Sequence, residues 1–191
     1  MPLSLAATRN ALRRFRRNRR GSAAVELALV APLFFGLLFA IIEVALMFFA
    51  SQVLETVTQD SARLVMTGQA QGAALTDVDF KKIICDPTRS VANVLFDCTN
   101  GIYVDVRSYP QFASVKIPSQ IDPVTGTFVN DMKYCPGSDG DVVVVRLFYQ
   151  WPTFVTKLGF DLANLSNGKR LLTATAAFKN EPFTALGATC S

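Results

Sequence analysis

Two glutamates, Glu26 and Glu43, lie within an otherwise apolar stretch, and their position needs a chemical reason. No charged residue occurs from Leu27 to Ile42. A carboxylate in hydrocarbon is costly unless it is paired or neutralised. One interpretation of Glu26 is an interfacial acid at the start of a helix, where the positive end of the helix dipole stabilises it.

The junction between Gly21 and Ser22 gives a second interpretation of Glu26. If the chain is cut there, Ser22 becomes the new N-terminus and Glu26 becomes the fifth residue. The new α-ammonium would lie in the membrane and need a counter-charge. Glu26 of a neighbouring subunit could supply it, and the pair would set the axial register between subunits. The sequence alone leaves both interpretations open.

The four cysteines form the second group with possible chemistry: Cys85, Cys98, Cys135 and Cys190. An even number of cysteines in an oxidising compartment predicts two disulfides, with three possible pairings. We favour Cys85 with Cys98, which closes a short loop, and Cys135 with Cys190, which would hold the C-terminal tail. A zinc site is disfavoured because the chain has no histidine and no C-x-x-C pair.

No enzymatic constellation is recognisable in the chain. Histidine, the usual general base and a common metal ligand, is absent. There is no glycine-rich phosphate loop, no G-x-S-x-G nucleophile elbow and no paired-carboxylate signature. We therefore expect that the protein is not an enzyme and needs no metal or cofactor. The chemistry we expect is done to the chain, as cleavage and as disulfide formation.

An apolar run positions these residues. Leu27 to Ala50 supplies 24 residues with Glu43 as the one ionisable interruption, and a membrane helix needs about 20. A removable secretory signal is disfavoured because Phe48-Phe49-Ala50 puts a bulky residue where a small one is expected. The run is therefore predicted to remain in the protein as a single membrane anchor in contact with lipid.

The basic residues are concentrated before this run. Residues 1–21 hold seven arginines and no acid, whereas the rest of the chain has 12 basic and 15 acidic side chains. By the positive-inside rule, the N-terminus stays in the cytoplasm and everything after Ala50 lies outside the inner membrane, in the periplasm or beyond. Because the body is slightly acidic, a nucleic-acid partner is not expected.

Residues Arg19–Glu26 (RRGSAAVE) resemble a type IV prepilin cleavage site, with a basic leader, a glycine before the cut and a glutamate at the fifth mature position. Together with Pro32, Glu43 and the segment TQDSAR at 58–63, the stretch from about 13 to 68 resembles the TadE-like minor pseudopilins of the tight-adherence (Flp) pilus system. The resemblance implies a prepilin peptidase that cuts between Gly21 and Ser22. It also implies other pilins or pseudopilins, and the pilus assembly platform, as partners, and a role for Glu26 and Glu43 in assembly and register.

The predicted fold is α+β and pilin-like. A long helix from Ser22 to about Thr67 crosses the membrane and continues as an amphipathic spine, with Gly68 as its C-cap. A shorter helix capped by Thr76 follows, over 77–85. Strands at 102–109, 141–151 and 169–179 predict an antiparallel sheet with one face on the spine. The divisions are a cleaved leader at 1–21, the helix at 22–68 and an exported, disulfide-bonded α+β domain at 69–191.

Together with these features, the resemblance implies a minor pseudopilin that primes, caps or modulates assembly of a tight-adherence pilus, and thereby serves cell adhesion. Two alternatives remain. One is a pseudopilin of type II secretion, which has the same architecture. The other is a single-span membrane protein whose exported domain binds a ligand or an envelope partner and whose leader is never removed.

Overall fold

The computed structural model describes residues 21–86, 92–154 and 161–184. The chain divides into two compact units, Met1–Ile42 and Glu43–Ser191. The described elements are one long helix, several short helices and a three-stranded sheet. The predicted α+β class, a long apolar helix with a small antiparallel sheet, is confirmed.

The long helix α1 spans Ser22–Met66 and continues through Pro32. It ends one residue before the predicted limit. Gly68 follows with a φ of 73°, and its N–H donates to the Val65 carbonyl at 3.0 Å. A Cβ at this glycine would lie 2.6 Å from a ring carbon of Phe183. Both the left-handed backbone and the close aromatic ring therefore require glycine at the end of the helix.

Within the second unit, α1 has one buried face and one exposed face. The exposed face carries Gln52, Thr56, Gln59 and Arg63. The buried positions recur every three or four residues, as expected for an amphipathic helix, and the predicted spine is confirmed. These buried positions are Glu43, Met47, Ala50, Val53, Leu54, Val57, Thr58, Ser61, Ala62 and Val65.

The sheet consists of β1 (Ile102–Tyr109), β2 (Val142–Pro152) and β3 (Lys169–Lys179), antiparallel and in chain order. The bounds of β1 and β3 match the predicted ones, and β2 is shifted by one residue. β-branched and aromatic residues dominate β2, which accounts for its central place. Alternation along the strands separates two faces. Both are buried from Val142 to Phe148 of the central strand β2, whereas Thr173, Thr175 and Ala177 of the edge strand β3 are exposed on the face away from the spine.

One face of the sheet shares a hydrophobic core with the spine part of α1. The core brings Leu54, Val57 and Val65 of the helix together with Ile102, Val145 and Leu172 of the three strands. Phe80 and Phe96, from the segment between α1 and the sheet, complete it. The spine and sheet therefore form one folded unit that begins at Glu43.

The opposite face of the sheet is covered by the connection between β1 and β2. Ile121, Phe128 and Met132 of this connection pack against a smaller cluster that includes Phe148 and Leu171. The connection contains a short 3-10 helix at Phe112–Ser114 and a turn in which Asp122 Oδ1 accepts the N–H groups of Val124 and Thr125. The turn predicted at 122–126 is confirmed.

Four short helices precede the sheet: α2 (Gln69–Gly72), α3 (Asp77–Ile84), α4 (Ala92–Leu95) and α5 (Cys98–Gly101). Thr76 caps α3 as predicted, because its hydroxyl accepts the Asp79 N–H at 3.2 Å and donates to the Asp79 carboxylate at 2.8 Å. The first of these bonds satisfies a backbone donor that the first turn would otherwise leave unpaired.

Cys85, directly after α3, forms a disulfide with Cys98, the first residue of α5, with a Cα–Cα distance of 5.6 Å. This confirms one of the two favoured pairs. The sequence predicted two disulfides, and Cys85–Cys98 is the one that lies wholly within the described residues. The second predicted pair includes Cys190, which lies outside them.

Candidate functional site

The candidate cleavage junction lies at the start of α1. Ser22 is the first residue of the helix, Gly21 precedes it, and both are exposed. A Cβ added at Gly21 would meet no atom of the described residues within 4 Å, and Gly21 is not among the described glycines with a left-handed φ. In the part of the chain that the structure describes, neither packing nor backbone geometry therefore requires a glycine at this position.

Glu26 is exposed on α1, between the exposed side chains of Val25 and Leu27. The first turn of the helix holds no acid, so Glu26 follows the turn in which the helix dipole acts most strongly. Within the described ranges 21–86, 92–154 and 161–184, its carboxylate makes no hydrogen bond or ion pair. Stabilisation by the helix dipole thus explains the position of Glu26 less well than the sequence suggested.

The helix around Glu26 presents large apolar side chains on all sides. Leu29, Leu33 and Phe34, for example, are 76%, 79% and 58% exposed. Such a surface is unfavourable in water, and it is typical of a lipid-facing helix. By length and composition, α1 is the one described helix that is able to cross a membrane. This is consistent with a single-pass membrane protein.

Glu43 lies in a different environment. Its side chain is buried, and its Oε1 accepts the N–H of Phe154 at 2.7 Å, across 111 residues of sequence. Phe154 follows the C-terminal end of β2 by two residues. Glu43 therefore joins the spine to one end of the sheet inside the second unit. The predicted role of Glu43 in assembly and register stays a prediction beside this intramolecular one.

The exposed surface of α1 changes character after Phe49. Leu46, Phe48 and Phe49 are exposed, whereas the exposed positions from Gln52 onward are polar. The apolar exposed surface thus continues seven residues into the second unit, which begins at Glu43. Over these residues, one face of the helix packs in the folded core while the other remains apolar and uncovered.

A buried ion network lies on the face of the sheet away from α1, and the sequence analysis missed it. Asp105 of β1 pairs in register with Arg146 of β2, and its Oδ2 accepts Arg146 Nη2 at 2.6 Å. Both side chains are buried. Arg107 Nε also donates to Asp105 Oδ1, at 2.9 Å. The sequence feature that could have indicated this network was the single arginine within the valine-rich strand β2.

The network fastens the long connection to the sheet. Arg146 Nη1 donates to the Pro118 carbonyl and to Gln120 Oε1, both at 2.9 Å. Gln120 in turn donates to Asp131, and the N–H of Lys133 donates to Asp105. Because these groups satisfy one another, the buried charges are tolerated. Their arrangement is that of a structural network, in which each charged group is held by the others and by the connection.

Tyr134 carries a second buried polar group. Its hydroxyl has no hydrogen-bond partner among the described residues, and its ring lies 5.3 Å from that of Phe80. Burial, with the nearby negative charges of Asp77 and Asp79, raises the pKa of Tyr134 to about 12. In the described part of the chain, no three His, Cys, Asp or Glu side chains come together as metal ligands.

No curated protein and no solved structure matches the chain. A family model does match, and its description is TadE-like protein. The match begins at Gly21, the residue before α1, and includes both Glu26 and Glu43. It ends at Arg63, inside the spine part of the same helix. The resemblance drawn from the junction and the two glutamates is thereby confirmed for residues 21–63, which match the TadE-like family model.

Proposed function

We propose that the protein is a minor pseudopilin of a tight-adherence pilus, held in the inner membrane by α1 and cut by a prepilin peptidase between Gly21 and Ser22. It acts in pilus assembly, by priming, capping or modulating the filament. Its partners are the peptidase, other pilins or pseudopilins and the assembly platform. The TadE-like segment and the long apolar helix support this proposal.

The observation that carries the proposal is the exposed glycine at the start of α1. Among residues 21–86, 92–154 and 161–184, nothing requires glycine at position 21, since a Cβ there would meet open space. A requirement for glycine would therefore come from an external partner that approaches the backbone closely. A protease that accommodates the chain around Gly21-Ser22 is such a partner, and the small residues after the junction keep it accessible.

The arginine-rich residues 1–21 support a cytoplasmic N-terminus, by the positive-inside rule. The second unit then lies on the outer side of the inner membrane. The disulfide between Cys85 and Cys98 is consistent with that oxidising compartment. We include Cys135 with Cys190 in the proposal as a second disulfide that holds the C-terminal tail.

A matched pair of glycine variants tests the proposal. Gly72, like Gly21, is exposed, has space for a Cβ and lacks a left-handed φ. We expect Gly21→Val to block cleavage, so that the uncut chain accumulates in cells that contain the peptidase. Gly72→Val should be cut as the unchanged protein is. Gel mobility and N-terminal sequencing measure the cleavage. If Gly21→Val is cut normally, the proposal that a protease selects this junction is contradicted.

A further inference from the structure

One end of the sheet lies beside residues 43–50 of α1, the part of the apolar run that belongs to the second unit. The hydrogen bond from the Phe154 N–H to Glu43 places the chain after β2 beside the first residue of the second unit. The opposite end of the sheet lies near the end of α1, because the Glu181 N–H, two residues after β3, donates to the Met66 carbonyl at 3.0 Å. The strands thus run along the spine from Glu43 to Met66.

The depth of this end follows from helix geometry. Glu43 precedes Ala50, the last residue of the apolar run, by seven residues, which is about 10 Å along the axis. A hydrocarbon core of about 30 Å takes up about 20 helical residues. If the core begins at Ser22, Glu43 is at its outer boundary, and if it begins later, Glu43 lies inside it. In each case the backbone of Phe154 is at or below the lipid boundary.

The side chains at this end suit a lipid interface. Phe154 is 76% exposed, although it neighbours a buried carboxylate. Trp151, the single tryptophan of the chain, is only partly buried there. Opposite them in the register are two cations at the start of β3, with Lys169 paired to Pro152 and Arg170 paired to Trp151. Aromatic residues with neighbouring cations are typical of the headgroup region of a membrane.

We propose that this end of the sheet, residues 151–154 with Lys169, is a second membrane contact that inserts into the outer-side lipid interface beside α1. Glu43 supports the contact, because its carboxylate accepts a backbone N–H that lipid would leave unpaired. The apolar surface that continues from Leu46 to Phe49 on the same unit makes lipid the occupant that we favour over a second protein chain. The inference rests on α1 crossing the membrane, as proposed above.

Single-tryptophan variants of the full chain, in vesicles of phosphatidylethanolamine and phosphatidylglycerol with brominated acyl chains, test the proposal. All are built on Trp151→Phe. Phe154→Trp reports on the proposed contact. Phe112→Trp is the matched control, because Phe112 lies at the opposite end of the sheet and is also exposed, at 61% against 76% for Phe154. Phe34→Trp reports on the membrane span itself. An intact Cys85–Cys98 disulfide and an unchanged circular dichroism spectrum verify the fold of each variant.

We expect bromine to quench the tryptophans at 34 and 154 strongly, and to leave the one at 112 unchanged. Quenching at 34 without quenching at 154 would overturn the second contact while leaving the membrane span intact. If bromine does not quench the tryptophan at 154, and its emission shifts to the blue as the protein-to-lipid ratio rises, the second membrane contact would be overturned in favour of a contact between copies of the chain. Absence of quenching at 34 would overturn the membrane span, and the inference with it.

Discussion

Helix α1 has two parts with different surroundings. Between Ser22 and Ile42 its large apolar side chains are exposed, whereas from Glu43 to Val65 one face is buried against the sheet. The two glutamates follow the same division, since Glu26 is exposed and Glu43 is buried and hydrogen-bonded to Phe154. The comparison shows that the second part obtains its packing from this chain. The first part needs lipid or neighbouring subunits to cover it.

A matched pair of leucines gives the largest expected difference between the two parts. Leu54 is 1% exposed in the core, whereas Leu37 is 54% exposed in the apolar part of α1. We expect Leu54→Ala to lower the free energy of unfolding of the second unit by about 2–5 kcal/mol, because a buried cavity remains. Leu37→Ala should leave it nearly unchanged. Denaturant titration in mild detergent, monitored by the emission of Trp151, measures the free energy of unfolding of both variants. Equal losses of stability would contradict the division of α1 into two parts.

The two glutamates give the next difference. Glu43→Leu removes the acceptor of the Phe154 N–H, and we expect it to destabilise the second unit by about 1–3 kcal/mol. Glu26→Leu should leave that stability unchanged and instead reduce the number of pili. Denaturant titration and electron-microscopic counts of pili distinguish the two effects. If Glu26→Leu cells are normally piliated, the proposed pairing of Glu26 with the Ser22 ammonium is wrong.

The smallest expected effect is that of Tyr134 on how the free energy of unfolding depends on pH. Its pKa is about 12 in the folded protein and about 10 when the chain is unfolded. Between these values the folded protein holds the phenol proton that the unfolded chain has lost, so stability falls as the pH rises. We expect Tyr134→Phe to reduce the slope of this fall. Denaturant midpoints measured on both sides of pH 10 check it, and parallel curves for the two proteins would contradict it.

Local patterns account for the features that the sequence predicted well. The three- to four-residue spacing of apolar residues predicted the spine, and the alternation from Ile102 to Tyr109 predicted β1. Thr76 and Gly68 marked helix limits, because capping depends on neighbouring residues. The pairing of Cys85 with Cys98 was favoured for its short loop, and the sequence separation is 13.

The contacts that the sequence did not predict join distant residues. Glu43 and Phe154 are 111 residues apart, and no local pattern relates a carboxylate to a backbone N–H at that distance. The Asp105–Arg146 pair depends on the register of two strands and on a connection that covers them. Asp105 lies on the face of β1 away from the spine, and strand alternation alone does not indicate that a second layer covers this face.

The most direct test of the account is the intact mass of the membrane-extracted protein, from cells with the prepilin peptidase and from cells without it. We expect a chain that begins at Ser22 when the peptidase is present and an uncut chain when it is absent. An uncut chain in both would contradict processing at Gly21-Ser22 and would favour a plain membrane anchor. A chain that begins after Ala50 would contradict the membrane-held pseudopilin altogether.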